Sequence, residues 1–189
     1  MSFEAKLFFA GDFDRSVISK TINSLSSEKI TATFDKNHPA LSNYDFIFIA
    51  DKSLSSLEVI SPTFPLTLKI DVKRSSVNNA AVILLNSLYG KIYIGMDWYD
   101  IYSALSGGEK PIKYIGNLSE SDLLALKKEF KNASGAFLYI CLPVNSTLEY
   151  SNKLSQDFSN ILNNEAALIW TITFDDKLTQ AVGNVFIRE

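Results

Sequence analysis

Apolar and polar positions follow two rhythms along the chain, and the rhythms take turns. Residues 5–10, AKLFFA, form an apolar run of strand length. In GDFDRSVISKTINSLSSEK, Val17, Ile18, Ile22 and Leu25 recur at the spacing of one helix face. ITATF alternates like a short strand. NYDFIFIAD holds the continuous run Phe46, Ile47, Phe48, Ile49, the pattern of a strand covered on both faces. SLSSLEVIS reads as a helical turn. In FPLTLKIDV, Leu66, Leu68, Ile70 and Val72 alternate as in a strand, and SVNNAAVILLNSLYG reads as a helix closed by Gly90. Strand and helix alternate, which predicts an α/β layer with a reduced, largely parallel sheet for residues 1–90.

From residue 91 the order changes. KIYI reads as a strand and DWYDIYSALSGG as a helix stopped by glycines. KPIKYIG reads as a short strand, and SESDLLALKKEF as a helix with Ser119 and Asp122 placed for a capping box. GAFLYICLPV is a long apolar strand. STLEYSNKLSQDFSNILNN carries Leu154, Phe158, Ile161 and Leu162 on one helical face. EAALIWTITFDD and GNVFIRE read as strands around the turn KLTQAV. Residues 91–189 are therefore expected to form an α+β sandwich around one buried helix. Cys141 and Trp170 fall on strands expected to be central, as plain core.

Composition narrows the function classes. The chain has 189 residues, 47% hydrophobic and 21% charged, as in an ordinary globular protein. Net charge is −3, and the closest basic run is KKEFK, so no footprint for nucleic acid or an anionic membrane is present. No apolar run approaches the ~18 residues of a membrane span, and the start MSFEAKLFFAG is too short and acidic for a secretory signal. A cytoplasmic location is the expectation. The single cysteine cannot form an intramolecular disulfide, and the lone His38 has no Cys/His cluster for zinc. No cofactor is expected. Ser16, Ser55 and Ser134 have no triad partner, and DFDRS at 12–16 is read as a helix-capping loop over a metal-binding acid pair.

The ordered series in the second half resembles the C-terminal domain of the FtsZ family of tubulin relatives. Gly135-Ala136 precede FLYICL; Thr147, Leu148 and Glu149 match the start of the following helix. Asp175 and Leu178 match an I-D-x-x-L pair with Phe174 in place of Ile, and NVFI closes the series. In the same register GMDWYDI is similar to the family's N-x-D-F-x-D-V loop. Gly95 stands for Asn, Asp97 and Asp100 for the two acids, Trp98 for Phe and Ile101 for Val.

The resemblance implies a role for this loop. In the family it enters the nucleotide site of the next subunit, where its acids help activate the water that attacks GTP. Asp97 and Asp100 would then be catalytic in trans, and Tyr93, Met96, Trp98, Tyr99 and Tyr102 would form the interaction face. Nothing matches the family's glycine-rich phosphate loop. DKSLSS follows DFIFIA, and AGDFDRS follows the first strand, with aspartates where phosphates would lie. The resulting expectation is a divergent, non-GTP-binding relative that regulates or caps FtsZ-type filaments in cell division, or self-associates. Two other readings stay open. One is an enzyme with an inter-domain cleft that uses Asp97 and Asp100 as metal ligands or acid and base. The other is a homo-oligomeric scaffold with no nucleotide role. From local pattern alone, Asp97 is also the cap of the helix it precedes, with Asp100 a favourable first-turn charge.

Overall fold

The computed structural model describes residues 4–25, 29–35, 41–62, 66–73, 75–90, 96–108, 110–126, 130 and 132–189. The chain divides into two units, Met1–Lys91 and Ile92–Glu189.

In the first unit, β1 (Glu4–Ala10) lies between β2 (Lys29–Asp35) and β3 (Phe46–Ala50), parallel to both. Helix α1 (Arg15–Ser24) connects β1 to β2 and starts at Asp14, whose Oδ1 accepts the backbone N–H of Ser16 and Val17. It buries Ile18 and Ile22, while Val17 is 41% exposed and falls outside the expected apolar face. Phe9 stacks between Phe34 and Phe48 and meets Phe13 edge-on, so three adjacent strands share one aromatic layer. Helix α2 (Val77–Tyr89) is capped by Ser76 and packs against α1 and β4.

The expectation of a largely parallel sheet holds only for β2, β1 and β3. Beyond them β4 (Ser56–Ser61) and β5 (Leu66–Lys73) join as an antiparallel meander, giving the order β2-β1-β3-β4-β5. The reason is connection length. Only residues 51–55 separate β3 from β4, and a parallel crossover needs about a dozen residues. The segment read as a helical turn is therefore strand β4. Leu57, Val59 and Ser61 alternate inward along it, each at most 1% exposed.

In the second unit the order is β6-β9-β7-β8: β6 (Ile112–Leu118), β7 (Gly135–Pro143), β8 (Ala167–Asp175) and β9 (Val182–Arg188). β9 runs antiparallel to both its neighbours, and β7 and β8 are parallel. Helix α4 (Glu120–Ala125) opens on the capping box of Ser119 and Asp122 that the sequence predicts. Helix α5 (Leu148–Ser159) supplies the crossover from β7 to β8 and is capped by the Thr147 hydroxyl.

β7 is buried on both faces. Ala136, Leu138, Ile140 and Leu142 share a core with Leu154 and Phe158 of α5. On the alternate positions Phe137 stacks on Phe186, which also meets Tyr114. β8 stands at the sheet edge rather than centrally, and Trp170 on it is half-buried. No helix among the described residues is long and apolar enough to cross a membrane.

Candidate functional site

Helix α3 (Trp98–Leu105) carries the two acids singled out in the sequence. Its start is fixed by a reciprocal exchange. Asp97 Oδ1 accepts the Asp100 backbone N–H at 3.0 Å, and Asp100 Oδ2 accepts the Asp97 backbone N–H at 2.9 Å. Two of the donors that every helix start leaves unmatched are thus satisfied, and both carboxylates are oriented on rigid backbone. The negative charges also face the positive end of the helix dipole.

What holds α3 in place is the strand beneath it. Ile101 and Ala104 are fully buried, and Leu105 is 2% exposed. The helix lies against β7, β8 and β9. Gly135 makes the approach possible, because a Cβ there would fall 1.9 Å from the Ala104 carbonyl oxygen. The C-terminal end is closed by Ser106 N–H on Tyr102 O at 2.7 Å and by Gly107, whose φ of +90° favours glycine.

The expected interaction face is divided by this packing. Tyr99 is 69% exposed, Met96 and Tyr102 are half-buried, Asp97 is exposed and Asp100 half-buried. Trp98 is a correction: it is 5% exposed and belongs to the unit's core, because position 98 shares the inward side of α3 with Ile101 and Leu105. Tyr93 lies outside the described residues, as does His38.

The two loops flagged for aspartates instead of glycines have a definite geometry. After β3, Asp51 Oδ1 accepts the backbone N–H of Ser55 at 2.8 Å and Ser56 at 2.9 Å. Its Oδ2 accepts the hydroxyls of Ser53 and Ser55. The Ser53 hydroxyl, followed by the backbone donors, pulls the Asp51 carboxyl down to about 2. After β1, Asp14 takes the first N–H groups of α1 in the same way. In both loops a carboxylate of the chain occupies donors that could otherwise face an anion. Within the Asp51 turn, Leu54 adopts a φ of 54° and is 39% exposed.

Other candidates resolve as structural. Burial, and then the charge of Asp175, push the Cys141 thiol up to about 12, which removes it as a nucleophile. Ser134 Oγ accepts Arg188 Nε at 2.9 Å and so faces a cation rather than a base. Among the described residues no group of three or more His, Cys, Asp or Glu could hold a metal ion.

No protein-family model matches the chain, and no curated protein matches it. Solved structures do. An empty FtsZ dimer from M. jannaschii aligns over 59% of this chain and 36% of its own, at 18% identity and a TM-score of 0.47. A point mutant of FtsZ from the same organism aligns over 59% and 37%, at 19% identity and a TM-score of 0.48. CetZ from Methanosaeta thermophila aligns over 96% of this chain and 60% of its own, at 12% identity and a TM-score of 0.43. The chain thus spans little more than a third of the FtsZ chains it resembles.

Sequence reasoning missed several features of the second unit. Asn184 is 2% exposed, and its Oδ1 accepts the Tyr114 hydroxyl at 3.0 Å and the Asn117 N–H at 3.2 Å. Asn117, at φ 56°, sits in the register break of β6. An asparagine beside a glycine in GNL was the one available signal, since asparagine tolerates the left-handed region.

Proposed function

We propose that this chain is a non-enzymatic, FtsZ-like interaction protein that docks through the exposed start of α3. Asp97, Asp100 and Tyr99 carry the contact, with Met96 and Tyr102 beside them. The observation that carries the reading is the reciprocal cap, which holds two carboxylates and an exposed tyrosine on one rigid helix start. The ordered sequence resemblance from Gly135 to Ile187 supplies the partner class: the nucleotide-bearing end of an FtsZ-type filament. Asp97 and Asp100 would then act on the partner's nucleotide or mark the contact surface.

The self-capping of the loops after β1 and β3 supports the second half of the proposal, that the chain holds no GTP of its own. A protein with the contact loop but no nucleotide end would occupy one filament end and stop further addition, a regulatory or capping role in filament assembly.

Two measurements test this. Equilibrium binding of labelled GTP and GDP, with and without Mg²⁺, should show no micromolar binding to this chain. Sedimentation of FtsZ filaments should carry the chain down and change GTP turnover. Asp97→Asn/Asp100→Asn, which keeps hydrogen-bond acceptors at both positions, should abolish both effects without unfolding. Absence of co-sedimentation together with unchanged turnover would sink the reading.

A further inference from the structure

Edge strand β2 reads the same in chemical class from either end. About Ala32, KITATFD runs charge, apolar, Thr, Ala, Thr, apolar, charge, and the two outer charges have opposite sign. Among the described residues β2 pairs only with β1, so its outer edge presents the unpaired backbone groups of an edge strand. Two devices that blunt such an edge, proline and a bulge, are missing from it, and its charges, Lys29 and Asp35, stand only at its two ends. The strand holds no proline and keeps unbroken register with β1 from Lys29 to Asp35. Lys29, Thr31 and Asp35 are exposed, and Ile30, Ala32, Thr33 and Phe34 are only half-buried.

We propose that β2 is a self-association strand, joining two copies of the chain edge to edge in an antiparallel pair about a two-fold axis through Ala32. In that register Lys29 lies opposite the partner's Asp35, Ile30 opposite the partner's Phe34, and Thr31 opposite the partner's Thr33. These are opposite-charge, β-branched–aromatic and Thr–Thr pairs, each a type that stabilises antiparallel ladders. Two-fold symmetry supplies every one of them twice. Moving the axis to Thr31 or Thr33 places Lys29 or Asp35 opposite a threonine, so the charges select one register. Edge strand β8 has no such symmetry, because turning it on itself about Thr171 sets Asp175 against Ala167.

The Lys29 contact already on β2 is compatible with this pairing. Lys29 Nζ lies 3.4 Å from Glu4 Oε1, with both side chains well exposed, and an ammonium has donors for a second carboxylate. Arg15 lies over the Phe34 ring and its Nη2 donates to the Phe34 carbonyl at a long 3.4 Å. The inference does not rest on the reading of the α3 face.

Sedimentation velocity of the full chain over a wide concentration range tests it. The parent should show a reversible monomer–dimer equilibrium. Lys29→Asp and Asp35→Lys should each weaken the dimer roughly tenfold, since each turns two attractive pairs repulsive. The double variant should return to within about threefold of the parent. Far-UV circular dichroism confirms that each variant is folded. A second arm uses a Cys141→Ser background. Ala32→Cys, on the axis, should cross-link to its own copy on mild oxidation, with Cα atoms about 4.5–5.5 Å apart. Thr33→Cys should cross-link far less. A chain that stays monomeric throughout, a dimer indifferent to the charge reversals, or equal cross-linking at both cysteines overturns the proposal. If a charge variant fails to fold, the cysteine pair decides.

Discussion

The carbonyl oxygen of Ala104 fills the space that a side chain on Gly135 would need. The oxygen belongs to backbone and a Cβ is fixed by the backbone that bears it, so neither can swing away as a flexible side chain would. Gly135→Ala must therefore lift α3 off β7 or distort the start of the strand. The expected cost is about 3 kcal/mol, the upper end of the range for overpacking a core. Chemical denaturation of the full chain measures it, and a loss well under 1 kcal/mol would show that α3 can shift freely.

The cap at the other end of α3 separates charge from hydrogen bonding. Asp97→Ala removes the acceptor for the Asp100 N–H and should cost about 1 kcal/mol. Asp97→Asn keeps an acceptor and should cost only a few tenths of that. If the two variants melt alike, the cap contributes little. If the asparagine variant alone retains stability yet loses filament effects, the charge itself serves the contact.

Asp51 gives a pH signature. Its carboxyl titrates near 3.8 in an unfolded chain and near 2 in the folded one, held down by the Ser53 hydroxyl and the Ser56 and Ser55 backbone donors. A depressed carboxylate adds stability above its unfolded pKa, and that stability disappears as pH falls through the folded value. The difference in melting temperature between the parent and Asp51→Asn should hold at pH 5 and above. It should shrink between about pH 4 and pH 2. A difference that stays constant across that interval would contradict the assignment.

Cys141 should be inert while the chain is folded. With its thiol pushed up to about 12 by its surroundings and by the charge of Asp175, very little thiolate is present near neutral pH. Reaction with a disulfide reagent should be slow in buffer and rapid in denaturant. Fast labelling of the folded chain would show that its surroundings and the charge of Asp175 do not suppress the thiolate.

Much of the fold was legible because local chemistry and packing agree there. LTLKIDV alternates, and Leu68, Ile70 and Val72 are indeed the buried positions of β5. SESD announces a capping box and DWYD a cap with a first-turn acid; both helix starts form, the second as a full reciprocal box that the sequence reading did not specify. β4 was not legible because its decisive signal is the shortness of the connection from β3, which no local pattern displays. Trp98 was misplaced for a related reason. Aromatic side chains suit a contact face and a core equally well, and only the docking of α3 on β7 decides between them. The left-handed conformations of Leu54 and Asn117 are set by a carboxylate clamp and by the side chain of Asn184, the latter 67 residues away in sequence. The acids of the candidate site were found from sequence; the exposure that separates Tyr99 from Trp98 was not.

The placement of β9 between β6 and β7 has a consequence for synthesis. As the chain emerges from a ribosome, β7, α5 and β8 can assemble as a parallel pair on their own. β6, made earlier, has no neighbour within its unit until β9 appears. Its Tyr114 and Ile115 must wait for Phe186 and Val185. The edge of β6 that β9 covers therefore stays open for that interval, and that window is when a chaperone would be most needed.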